Sequence, residues 1–154
     1  IGKGCDVLAQ HVDTTAPQTA SEENGTWAIG YNSDMSKETP EATLTSVIWN
    51  WSAYYTSYVN SIVNATYDGS NYYGGMDESL VGLTGLSSLC EDGTQEKVNE
   101  MQQKILSGEF GVFDGEILTN DGTVIGEEGK TLDDATITGK INWYYHNVEV
   151  VDWK

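Results

Sequence analysis

Gly30-Tyr31-Asn32-Ser33-Asp34-Met35-Ser36 and, after a short polar link, Leu44-Thr45-Ser46-Val47-Ile48-Trp49-Asn50-Trp51 decide how this chain reads. Two apolar, β-prone runs each end in a polar or aromatic cluster. In an open α/β sheet, ligands sit beyond the carboxyl ends of parallel strands, where loops and helix N-termini present free donors and acceptors. The expectation is a small-molecule site at that edge.

Upstream, residues 5–11 read as a strand, and Thr15-Ala16-Pro17-Gln18 carries the marks of a helix start. Thr15 can cap, Pro17 suits the first turn, and Gln18 can close a capping box. Asn24-Gly25 supplies the stop, and residues 26–31 resume a strand pattern. A strand-helix-strand unit is most simply parallel. Residues 44–48 form a third strand, taken as parallel although the link before it, which contains Pro40, is short for a helical crossover. Beyond it, Trp51, Tyr54, Tyr55, Tyr58, Val59 and Ile62 recur at helical spacing. That spacing predicts a helix with one face on the sheet, and the tyrosine stripe reads as core packing rather than a binding platform.

Residues 68–75 are rich in Gly, Asn, Tyr and Ser and mark a shift in composition, after which residues 79–83 read as a brief strand. Asp92 begins a second helix, with Gln95 completing a capping box and Val98, Met101, Ile105 and Leu106 forming the apolar stripe up to Gly108. Two short runs, 113–118 and 123–125, flank Asn120-Asp121-Gly122, which suits a hairpin. The tail from Thr131 to Lys154 is expected to return over the sheet. A crossing between substructures is expected near residues 68–75.

The 154 residues suffice for one ordinary domain. With 24 acidic residues against 7 lysines, no arginine and a formal charge of −17, nucleic acid polymers are poor partners. Cys5 and Cys90 belong to no metal or redox motif, and the apolar context of Cys5 predicts a buried free thiol rather than a disulfide. No apolar run approaches the roughly 20 residues of a membrane span. The opening Ile1-Gly2-Lys3-Gly4, without methionine or targeting segment, reads as inherited from a longer precursor.

If the three strands are parallel neighbours, their carboxyl ends gather Gln10, His11, Asp13 and Thr14; Asn32 and Asp34; and Trp49, Asn50 and Trp51. Carboxylates and amides there can hold hydroxyls or ring N–H groups, and an indole offers a flat stacking surface. The plainer alternative is that Asp34 caps a turn and the tryptophans fill a core. His11 could be a general base beside Asp13, but no nucleophile motif or phosphate loop accompanies it, so it reads as a hydrogen-bonding or packed side chain. A calcium loop starting at Asp114 would need a polar ligand at Leu118 and glycine at Thr119. No catalytic residue, metal or cofactor is assigned.

Four stretches in this order resemble the basic membrane protein family of substrate-binding lipoproteins of ABC transporters, which includes purine nucleoside receptors. They are Gly4-Cys5-Asp6-Val7-Leu8-Ala9-Gln10-His11-Val12-Asp13, Ala28-Ile29-Gly30-Tyr31-Asn32-Ser33-Asp34-Met35-Ser36, residues 44–51, and Ile141-Asn142-Trp143-Tyr144. The resemblance implies an α/β fold: a Rossmann-like lobe of a type I periplasmic binding protein, three-layered, with a mainly parallel sheet. It also implies that only the carboxyl-terminal part is present, the amino-terminal lobe and half of the cleft lying upstream of Ile1. Segments after about Asp68 would cross toward that lobe, so that the resemblance divides the chain into 1–70, part of the carboxyl-terminal ligand-binding lobe; 71–118, crossing toward the amino-terminal lobe; and 119–154, a hairpin and tail returning to the carboxyl-terminal lobe. Asp34 matches the aspartate that holds ribose in the nucleoside receptors. Those receptors commonly carry a basic residue where this chain has Trp49-Asn50-Trp51, which favours a free purine base or another flat heterocycle. The His11-Val12-Asp13-Thr14 loop likewise resembles the branch with the Asn-Trp motif.

The reading that results is an extracytoplasmic receptor, lipid-anchored through the absent amino terminus, delivering a purine base or nucleoside to an ABC permease without a reaction of its own. Asp34, Asn32, Trp49, Asn50, Trp51, His11, Asp13 and Thr14 are its expected ligand-binding residues. One rival is an extracellular carbohydrate-binding module using Trp49 and Trp51 as a sugar platform. Another is a hydrolase with Asp13 or Asp34 as a carboxylate catalyst.

Overall fold

The computed structural model describes residues 1–151. They fall into two compact units, divided within a helix between Val98 and Asn99. The first unit holds strands β1 (Val7–Ala9), β2 (Trp27–Asn32), β3 (Thr43–Trp49) and β4 (Val81–Leu83), with helices α1 (Ala16–Glu23) and α2 (Trp51–Val63). The sheet runs in the order β1-β2-β3-β4. β1 pairs with β2 and β2 with β3 in parallel, whereas β4 is antiparallel to β3. The fold is thus α/β with a mainly parallel sheet, and the third strand is parallel despite its short link.

Helix α1 starts where the sequence places it, with Pro17 in its first turn. The capping box does not form. The Thr15 side chain makes no cap hydrogen bond, and the Ala16 amide instead donates to Thr14 Oγ1 at 3.2 Å. Gln18, the expected box partner, is turned inward and fully buried, as is Ser21. The helix stops at Asn24, whose Nδ2 donates to the Ala20 carbonyl at 2.8 Å, and Gly25 takes the left-handed φ of 63° that ends it.

The interior beneath α1 is small and polar. Ala28 and Ala42 are fully buried together with Thr39, Thr43 and Ser46. An unpaired hydroxyl in such a place costs about 1–3 kcal/mol, a cost borne at Ser21 Oγ and avoided by Thr39 and Thr43. Thr39 and Thr43 share a hydrogen bond of 2.7 Å, and Thr84 Oγ1 accepts from the Ser46 amide at 2.9 Å. Gly30 faces this layer, where a Cβ would strike Ser46 Oγ and lie 3.0 Å from Gln18 Nε2. Only glycine lets β2 pass here.

Helix α2 corrects the expectation of a sheet-packed face. None of its residues is buried, and Tyr55, Val59 and Ile62 are more than half exposed. Its tyrosines pack on one another and on the loop that follows. Tyr54 stacks on Tyr58 at 5.8 Å and meets Tyr72 at 4.8 Å, while Tyr67 packs edge-on against Tyr58. Both cysteines are free, but Cys5 is exposed rather than buried.

Helix α3 (Thr94–Ser107) begins two residues after Asp92 and ends before Gly108, at φ 73°. In the second unit, β5 (Ile117–Leu118) and β6 (Val124–Ile125) form the expected hairpin. Of the Asp121-Gly122 pair only Gly122 takes a positive φ, of 87°; Asp121 Oδ1 ties the loop by accepting from Thr119 Oγ1 at 2.5 Å and the Thr123 amide at 3.0 Å. The tail pairs back on this hairpin, with Tyr145 bridging Thr119 and Thr131 bridging Asp114. A short helix, α4 (Asp134–Gly139), capped by Asp133, was not foreseen. The end of the tail, residues 152–154, lies outside the described residues.

Candidate functional site

Because β1, β2 and β3 are parallel neighbours, the loops after them emerge along one edge of the sheet. β2 ends at Asn32, whose φ of 71° turns the chain out of the sheet, a conformation asparagine tolerates better than most residues. Its amide Nδ2 donates to Asp13 Oδ1 at 3.0 Å, so the loops after β1 and β2 are tied by one side-chain bond.

Two hollows lie on either side of that tie. One, of about 370 Å³, is lined by Asp13, Thr14, Thr15, Asn32, Ser33, Asp34, Met35 and Glu38. The other, of about 390 Å³, is lined by His11, Val12, Asp13, Tyr31, Asn32, Trp49 and Trp51. Asp13 and Asn32 belong to both. The first hollow is polar and acidic; the second is aromatic.

In the polar hollow, Asp34 is exposed and its Oδ1 accepts from the Ser36 hydroxyl at 2.6 Å and the Ser36 amide at 3.0 Å. The Ser36 hydroxyl first, then its amide, with Lys37 adding a smaller effect, hold the Asp34 carboxyl below its ordinary value, against a slight opposing effect of burial. One oxygen therefore fixes the turn, as the plainer reading of Asp34 has it. The other keeps its lone pairs for a donor from solution.

In the aromatic hollow, Trp49 and Trp51 lie 5.9 Å apart and 28° from parallel, and Trp51 is half exposed. His11 rests on Tyr31 with ring centres 4.2 Å apart. Such a set of planes can receive a flat ring.

Of the residues picked out in the sequence, His11, Asp13, Thr14, Asn32, Asp34, Trp49 and Trp51 line these hollows. Asn50 lines neither. It precedes α2, with its Oδ1 accepting from Ser52 Oγ at 2.5 Å, because the residue that starts a helix bends toward the first turn. Gln10 also turns inward, donating to the Thr14 carbonyl at 2.9 Å and to Gln18 Oε1 at 3.1 Å. Val12, Thr15, Tyr31, Ser33, Met35 and Glu38 also line them and were not among the expected binding residues. Tyr31 was legible in principle, since strand alternation places it opposite buried Gly30.

Comparison with known proteins bears on this edge. Residues 1–115 match the family described as ABC transporter substrate-binding protein, PnrA-like. A purine-binding protein of Brucella abortus is 32% identical over 149 residues, which cover 97% of this chain and 42% of that protein. A Haloferax volcanii protein named as an ABC transporter glucose-binding protein is 30% identical over 115 residues, covering 75% of this chain and 29% of its own length. Among solved structures, a transcriptional activator of the comK gene from Bacillus halodurans superposes with a TM-score of 0.63 at 22% identity, covering 71% of this chain and 40% of that one. A solute-binding protein of an ABC transporter system from Conexibacter woesei gives a TM-score of 0.54 at 18% identity, covering 72% and 38%. At those identities the structural likeness speaks to the fold alone. The chain spans less than half the length of each of these relatives.

Proposed function

This chain belongs to the PnrA-like family of ABC transporter substrate-binding proteins, and from that premise we propose that it forms one wall of a cleft holding a purine base or nucleoside for an ABC permease. The observation that carries the reading is the pair of hollows joined at Asp13 and Asn32, one polar and one aromatic. A purine ring lies against Trp49, Trp51 and the His11–Tyr31 pair. Its polar edge or a ribose reaches across the tie to Asp34 and Thr14. The name of the Brucella relative supports a purine.

An amino-terminal lobe supplies the second wall, and residues 71–118 cross toward it while 119–154 return. The receptor works outside the cytoplasm, held by a lipid at an amino terminus upstream of Ile1. Among the described residues no helix is long and apolar enough to cross a membrane.

A sugar stacked on the indoles is the second reading, favoured by the half-exposed Trp51 and by the name of the Haloferax relative. Calorimetric titration of the full-length protein with adenine, guanine, adenosine, inosine and glucose separates the two. The purine reading expects binding of at least one purine compound and none of glucose. Glucose binding with silence toward all four purines overturns it.

A further inference from the structure

Below the two hollows lies a buried polar cluster around Gln18 and Ser46, which line neither hollow but connect to the loops after β1 and β2. Gln18 on α1 and Ser46 on β3 are both fully buried. Gln18 Oε1 accepts from Gln10 Nε2 at 3.1 Å, and Gln18 Nε2 lies 2.8 Å from Met35 Sδ. Ser46 Oγ accepts from the Met35 backbone amide at 3.3 Å. Gln10 closes the circuit to the first loop, donating to the Thr14 carbonyl and accepting from the Val12 amide at 2.7 Å. The helix, the strand and two loops therefore converge on Met35, the residue after Asp34.

We propose that Gln18 and Ser46 are positioning residues for ligand binding, holding the Met35 backbone and side chain so that the free oxygen of Asp34 faces the cleft. The inference rests on the reading of Asp34 as a ligand contact. A leucine at position 18 would pack against the sheet with no polar atom to satisfy, so helix burial alone gives no reason for glutamine. What glutamine adds is direction: a buried network of hydrogen bonds favours one arrangement of the groups it joins. The thioether of Met35 is a weak acceptor, so the loop is held mainly by the Ser46 bond to its amide and by the fit of Gln18 around its side chain. Gly30 is part of the same device, since a Cβ there would strike Ser46 Oγ.

The test is a mutant cycle in the full-length protein, read with whichever of adenine, guanine, adenosine and inosine binds tightest, beside hydrogen–deuterium exchange of residues 33–37 without ligand. Gln18→Leu and Ser46→Ala should each weaken binding about fivefold and speed exchange in that segment; Gln18→Leu should leave the thermal midpoint near the parent's, whereas Ser46→Ala, which strands the buried Met35 amide, should lower it modestly. In the Asp34→Ala background, Gln18→Leu should weaken binding less than twofold further, because its effect runs through the absent carboxylate. Equal losses with and without Asp34, or unchanged exchange in residues 33–37, overturn the positioning role and leave the site reading standing. An Asp34→Ala protein that binds as tightly as the parent overturns both. Should Gln18→Leu fail to fold, Ser46→Ala carries the same cycle.

Discussion

Helices α1 and α2 each follow a parallel strand of the same sheet, yet they are held in opposite ways. α1 has little apolar surface and buries two polar residues, Gln18 and Ser21; α2 carries an aromatic and aliphatic stripe and buries none of its residues. An apolar stripe states that a face can be covered, not by what. A buried glutamine states more, because its amide needs specific partners, and those of Gln18 are the loops of the site. In the proposed reading, the polar helix is the one that bears on ligand binding.

The sharpest way to break this contrast is to spoil the layer under α1. Gly30→Val should destabilise the protein by roughly 3 kcal/mol through overpacking, seen as a lower denaturant midpoint with an unchanged slope. A midpoint within experimental error of the parent would mean that Ser46 and Gln18 are not packed against β2 as described. The Gln18→Leu variant comes next, with a loss of affinity but little loss of stability. That split separates the directional role of α1 from simple packing.

Acidity probes the polar hollow more gently. The Asp34 carboxyl is held below its ordinary value, chiefly by the Ser36 hydroxyl and then by its amide. Its depressed value means that its contribution to both folding and binding is present above the ordinary carboxylate range and is lost only as the pH falls through the depressed value. The share of affinity that depends on Asp34, taken as the difference between parent and Asp34→Ala, should stay level from neutral pH down to about pH 5. A steep decline of that difference already near pH 6 would assign the acceptor to another group.

The smallest effect is expected on α2. Val59→Ser with Ile62→Ser should change stability by no more than about 0.5 kcal/mol each, as for exposed positions. A loss of 2 kcal/mol or more, on the order expected for core side chains, would show that this stripe is covered in the full-length protein and would erase the contrast between the helices.

Much of this was legible in the sequence. The apolar runs gave β2 and β3 nearly to the residue, and Pro17 marked the first turn of α1. Their parallel order then brought seven of the expected residues to the two hollows. Gln18 was misread because the third helical position suits both a capping partner and an inward side chain, and only the small layer of Ala28, Gly30 and Ser46 decides between them. Asn50 was misplaced because a strand end and a helix start coincide there, and the helix start governs its side chain. Helix α4 went unseen because Thr131-Leu132-Asp133-Asp134 offers a cap but no apolar stripe after it. For Gln18 the deciding partners lie outside the local sequence, whereas for Asn50 and α4 they lie within the first turn of the helix itself.

The central claim is that the carboxyl edge of β1, β2 and β3 holds a purine compound with Asp34 as its acceptor. Isothermal titration of full-length Asp34→Ala beside the parent tests it most directly. A dissociation constant raised about tenfold or more, in a protein that melts as the parent does, is the result this account predicts. An unchanged constant would contradict it and return Asp34 to the role of a turn cap for Ser36.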